Sequence, residues 1–125
     1  MRGNWAMLAM ALLILLGAVL LLLLLQGQTG EMLLLCEKID QNLDENPDAA
    51  IEAAKELERL WPAYHNSWQF FTMHSDLDEI ERGLIELQAA LSRREFEEAQ
   101  RCCTLLRAAV EAVLEKENPS LRNVL

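Results

Sequence analysis

A chain of 125 residues with 52% hydrophobic side chains and a formal net charge of −9 holds two populations that its near-neutral mean hydropathy of +0.07 conceals. Residues 1–30 contain one charged side chain, Arg2, whereas residues 31–125 hold all twenty acids against ten Lys and Arg, a net charge of −10. Such a surface repels phosphate backbones and anionic headgroups, which argues against nucleic acid and against a polybasic membrane-surface role; ninety-five residues suffice for one modest core.

The first element is an uncharged run from Trp5 to Leu25 with eleven leucines in twenty-one residues. As a helix it is about 31 Å long, close to the roughly 30 Å hydrocarbon core of a bilayer. A cleaved signal peptide expects a shorter apolar stretch and small residues at the cut, and Gln26-Gly27-Gln28-Thr29-Gly30 offers no such site. A lipoprotein reading at Cys36 meets bulky Leu35 where a small side chain is needed. Residues 1–30 therefore read as a transmembrane anchor that meets the lipid bilayer through residues 5–25. Arg2 and the free amine flank one end, and Lys38 is the basic residue nearest the other. That asymmetry leans toward the N-terminus inside and the bulk of the chain outside the cytoplasmic membrane.

Past Gly30 nothing alternates like a strand, and the spacing predicts helices over about 31–44, 47–73, 76–91 and 93–117. Met32, Leu35, Cys36, Ile39 and Leu43 form the first apolar stripe, which can continue the membrane helix through the Gly27 to Gly30 joint. Asn46-Pro47-Asp48 supplies an N-cap, a proline at the first helical position and a charge that complements the dipole. The next stripe is Ile51, Ala54, Leu57, Trp61, Tyr64, Trp68 and Phe71. Pro62 removes a backbone bond within it, so a bend near Leu60 to Trp61 or a break is expected at 62. Ser75-Asp76-Leu77-Asp78 resembles a capping box before Leu77, Ile80, Leu84, Leu87 and Leu91. Ser92-Arg93-Arg94-Glu95 resembles another, before Phe96, Ala99, Cys103, Leu106, Val110 and Leu114. Connections this short make neighbours antiparallel. The fold class is all-α: an N-terminal transmembrane helix, then residues 31–125 as a small antiparallel helical bundle or helical hairpins. An offset of 46 between Glu52-Ala53 and Glu98-Ala99 is too thin to establish a repeat.

Five of the seven aromatics fall between Trp61 and Phe71. Core packing explains Trp61, Tyr64, Trp68 and Phe71 on one face; a partner or ligand surface drawn from Trp61, Tyr64, Trp68, Phe70 and His74 is the functional alternative. Phe70 lies off the stripe and is the better exposed contact. His65 and His74 are nine residues apart, without H-E-x-x-H, paired cysteines or a glycine-centred calcium loop, so no metal site is expected. His74 beside a helix start is a candidate pH-sensitive element if partly buried. Cys102 and Cys103 point about 100° apart on a helix and do not bond to each other. Cys103 reads as a small core residue; one disulfide within the set of three, or an intermolecular bridge, stays open. The acid clusters Asp76, Asp78, Glu79, Glu81 and Glu95, Glu97, Glu98 read as solvated helix faces rather than a hydrolase pair. With Gly83 the sole glycine after the anchor, phosphate loops and a G-x-S-x-G elbow are excluded. We expect no catalytic residues, no metal and no cofactor, and hence a non-enzyme. Leu121, Asn123, Val124 and Leu125 form a candidate C-terminal docking segment, for this bundle or for a partner groove.

Trp61, Trp68 and His74, the run Asp78-Glu79-Ile80, Leu84 and Leu87, Glu98-Ala99 and the ending Leu121-Arg122-Asn123-Val124-Leu125 together resemble the domain of unknown function 4363 family. Pro62 departs from the helix-continuing residue of that pattern. The resemblance implies a small single-pass protein of a spore-forming Gram-positive bacterium, without an established activity. It also implies an accessory role beside a multi-pass membrane protein. The expected function is that of a membrane-anchored helical interaction module. The alternative is an extracytoplasmic sensor or small-ligand domain using the aromatic face and His74.

Overall fold

A computed structural model describes residues 2–70 and 72–124, with side chains over 3–70 and 72–115. Phe71 and the docking residues Leu121, Asn123, Val124 and Leu125 lie outside the described side chains. Four helices follow one another: α1 (Arg2–Asn42), α2 (Pro47–Trp68), α3 (His74–Ser92) and α4 (Phe96–Val124). No strand occurs among the described residues.

The first helix is a single rod of 41 residues that passes through Gly27 and Gly30 without interruption. Each glycine costs about 1 kcal/mol relative to alanine in a helix, and packing offsets that cost. Leu25, Thr29, Met32, Cys36, Ile39 and Leu43 are all buried, at alternating steps of four and three, so one edge of α1 is held against the bundle on both sides of the glycines. Buried Thr29 is satisfied within the helix, its Oγ1 donating to the Leu25 carbonyl at 2.9 Å. The N-terminal half differs: large apolar side chains from Trp5 to Leu24 stand exposed, Trp5 at 76%. This helix is long and apolar enough to cross a membrane.

The Asn46 side chain caps α2 by accepting from the Ala49 N–H at 3.4 Å, with Pro47 in the first turn. The helix runs through Pro62 without a break and stops at Trp68, earlier than the stripe through position 73 suggested. The chain reverses there because Trp68 and Leu77 must both point inward. Neither expected capping box forms. Helix α3 opens at His74 from an extended Met73 that provides no side-chain cap, leaving Ser75 inside the first turn. Ser92 ends a helix instead of starting one, because Leu91 is buried and holds the last turn of α3 on the core. Its Oγ donates to the Ala89 carbonyl at 2.9 Å. Arg94 then adopts φ 56°, while the Arg94 N–H reaches the Leu91 carbonyl at 3.1 Å and the Glu95 N–H reaches that of Ala90 at 3.0 Å. That is a Schellman closure, which needs one left-handed residue.

All helices pack antiparallel to their neighbours in an up-down bundle. Helix α3 packs most extensively on α4, α1 lies between α2 and α4, and the α2–α3 seam is the thinnest. Gly83 marks the close approach of α3 and α4: a Cβ there would meet Leu106 Cδ1 at 3.3 Å. The core includes Leu57, Trp61 and Trp68 from α2, Leu77, Ile80 and Leu87 from α3, and Cys103, Leu106 and Val110 from α4.

Candidate functional site

The end of the bundle where α2 turns into α3 collects most of the unusual chemistry. Trp61, Tyr64 and Trp68 recur at steps of three and four, so all three side chains fall on one side of α2 and turn inward, none more than 6% exposed. Their rings form a contiguous block. Trp68 meets the edge of Trp61 at 5.6 Å and stacks on Tyr64 at 6.0 Å with 15° between planes. His65 touches the outer side of Trp61 at 5.6 Å and shares a 3.0 Å hydrogen bond with Gln69.

Two polar groups of this block are satisfied by α1. The Tyr64 hydroxyl donates to Glu31 at 2.6 Å and Trp68 Nε1 donates to Gln28 at 2.7 Å. Burial, reinforced by the bond to Glu31, pushes the Tyr64 phenol up to about 12. These bonds also fix direction: four residues forward along α2 is three residues back along α1. Gln28 and Glu31 escaped the sequence reading, which treated residues 27–30 as a joint. The usable signal was the four-three spacing that runs back from Met32 through Thr29 to Leu25.

Beyond Trp68 the surroundings change. Phe70 is 85% exposed and Met73 68% exposed, and His74 sits exposed at the first position of α3. The aromatic face and His74 are thus not brought into one cavity. A groove of about 380 Å³ lies on the α2–α3 seam, lined by Glu58, Trp61, Pro62, Glu81, Leu84, Ile85 and Gln88. Trp61 Nε1 is buried beside it with no hydrogen-bond partner among the described residues. Pro62 has no N–H to give the Glu58 carbonyl. Gln88, in contrast, bridges the seam by donating to the Ala54 carbonyl at 2.8 Å.

The three cysteines are buried as free thiols. Cys103 points at α1 and donates to the Cys36 carbonyl at 3.1 Å, whereas Cys102 lies 3.8 Å from Glu98. Among the described residues no three His, Cys, Asp or Glu side chains converge as metal ligands would. Glu56 pairs with Arg59, and Glu98 with Arg101 at 2.5 Å; in each case the arginine holds the carboxyl below the usual range.

The description of a domain of unknown function, DUF4363, matches residues 20–124. The chain belongs to this family. The DUF4363 match begins inside the leucine run, five residues before Leu25, the first side chain that the bundle buries. No curated protein and no solved structure matches the chain.

Proposed function

We propose that this DUF4363 protein is a membrane-anchored interaction module. Residues 5–25 sit in the bilayer, and the acidic bundle stands on the outer surface of the cytoplasmic membrane as an accessory to a multi-pass membrane protein. One observation carries the reading: the helix whose N-terminal half exposes a full bilayer length of apolar side chains is the same helix whose C-terminal half buries Met32, Cys36 and Ile39 in the bundle. A span joined to its domain without a linker holds that domain at a fixed height and angle. This geometry suits standing contact with a neighbour in the same membrane better than reaching for a distant one. Contact rather than catalysis is supported by Glu56 and Glu98, which stand on solvated helix faces and pair with Arg59 and Arg101.

Purification of the full chain in mild detergent, together with crosslinking in intact membranes, tests the reading. A stoichiometric multi-pass partner is expected. Recovery of the monomer alone by both routes removes the accessory role, and release of the intact chain by carbonate washing removes the anchor.

A second reading, a small-ligand domain, is favoured by Trp61 Nε1, a buried donor without an acceptor beside a groove rimmed by Glu58 and Glu81. It expects a small molecule carrying an acceptor and a cationic group to raise the thermal midpoint of the full chain, with the gain lost in Trp61→Phe. A gain that persists in Trp61→Phe places the ligand elsewhere.

A further inference from the structure

We infer that the α2–α3 turn, through Phe70 and Met73, is a second membrane contact that rests in the bilayer interface beside α1; this depends on the membrane reading of α1. Three observations converge on it.

The first is height. The bonds from Tyr64 to Glu31 and from Trp68 to Gln28 show α2 descending along α1 toward the leucine run. Continuing from Trp68 to Phe70 adds no more than about 3 Å at helical rise, which brings Phe70 to the level of Gln26, one residue from the end of the uncharged run at Leu25. Leu25 is itself only 1% exposed, so the bundle reaches the top of the span.

The second is charge. Residues 31–125 hold thirty charged side chains, a density that would place about five in any sixteen residues. Yet Leu60 to Ser75 contains no Asp, Glu, Lys or Arg. The single long window without charge in an acidic domain is the window that turns toward the membrane.

The third is exposure. Among the described residues, Phe70 at 85% and Met73 at 68% are the most exposed large apolar side chains outside the first twenty-five, apart from Leu34, also at 68%. They flank a chain reversal, the shape that dips into an interface without burying unsatisfied backbone in hydrocarbon. Phenylalanine is among the apolar side chains that interfacial segments bury at the boundary between headgroups and acyl chains. A rod through the bilayer fixes height but leaves rotation about its own axis free. A second apolar contact on one side removes that freedom and gives the bundle a defined face toward its neighbours.

The test replaces Phe70, Leu15 or Glu97 in turn by the photoreactive residue benzoylphenylalanine in the full chain. Each variant is reconstituted in phosphatidylcholine vesicles with alkyne-tagged acyl chains. Glu97 lies in the first turn of α4, just past the far end of α3, and α3 from His74 to Ser92 is about 27 Å long at helical rise. The expectation is lipid labelling from position 70 comparable to that from position 15, and loss of labelling from position 97. Labelling at 15 without labelling at 70 overturns this inference and leaves the anchor standing. Crosslinks from 70 to a second protein copy instead of lipid overturn it in favour of a protein interface. Absence of lipid labelling at both positions overturns the anchor and this contact together.

Discussion

Trp68 offers the sharpest test of how the bundle is held together. Replacing it with alanine removes a fully buried indole, its edge contact with Trp61, its stack on Tyr64 and its bond to Gln28. Large-to-small changes of this kind cost about 3–5 kcal/mol, because the surrounding structure collapses only partly into the space. A bundle of this size has a total stability on the order of 5–13 kcal/mol at typical per-residue values. Trp68→Ala therefore removes about a quarter of it at the least, and most or all of it if the bundle is at the low end. Trp68→Phe keeps an aromatic ring and loses chiefly the bond to Gln28, for about 1–2 kcal/mol. The assay is guanidinium unfolding of the full chain in detergent, followed by near-ultraviolet circular dichroism, since the leucine-rich half of α1 stays helical in micelles. We expect a large fall in midpoint for Trp68→Ala, a small one for Trp68→Phe, and non-additivity of about 0.5 kcal/mol or more when Trp68→Phe is combined with Gln28→Ala. A Trp68→Ala midpoint within about 0.5 kcal/mol of the parent, the range of a neutral surface change, would refute the packing argument and make the aromatic end a binding surface.

Pro62→Ala returns an N–H to the Glu58 carbonyl in a helix that already continues through this position; stability should rise by about 1–2 kcal/mol, part of the roughly 3 kcal/mol that interior proline costs, and an unchanged unfolding midpoint would show that the surrounding packing fully absorbs the proline. Arg94→Gly relieves a left-handed residue at φ 56° whose ion pair to Asp48 is 4.0 Å long and exposed. A gain of about 0.5–1 kcal/mol in thermal or denaturant unfolding is expected, and a loss would mean that the pair outweighs the strain. For Tyr64 the folded phenol titrates above its unfolded value of 10, at about 12. Its contribution is thus complete below pH 10 and disappears as pH rises through 12. Two units correspond to at most about 2.7 kcal/mol, and with Glu31 at the surface about 1–2 kcal/mol is the reasonable share. Comparing the alkaline limb of stability in the parent and in Tyr64→Phe checks it: the parent should fall more steeply, and parallel curves would dissociate Tyr64 from the effect.

Much of the fold was legible because helical periodicity is written residue by residue. Leu77, Ile80, Leu84, Leu87 and Leu91 sit on one stripe in the sequence and all five are buried. Asn46-Pro47 announced the start of α2 through local chemistry that needs no tertiary partner. The helix ends around residues 73 and 92 were misread for a common reason. Ser75 and Ser92 have the right residues nearby for capping, but where a helix stops depends on which neighbouring side chains gain burial. Leu77 and Leu91 settled both ends by packing against other helices. The candidate site was legible only as a list of aromatics. Which of them faces inward followed from spacing, but the partners Gln28 and Glu31 did not, because a polar residue at the edge of a leucine run carries no sign of what lies across from it.

The sequence by itself determined the division between an uncharged length of helix and an acidic remainder, and the identity of the stripes, because both depend on side-chain hydrophobicity and a fixed helical period. Only the structure decided that the continuation through Gly27 and Gly30, which the stripe allowed, is one unbroken helix, that Leu25 is buried in the bundle although it ends the apolar run, and that the charge-free turn at Phe70 comes down beside it. The descent of that turn beside α1 rests on bonds between residues 33 and 40 positions apart. Such contacts are selected by how whole helices fit against one another, and no local pattern encodes them.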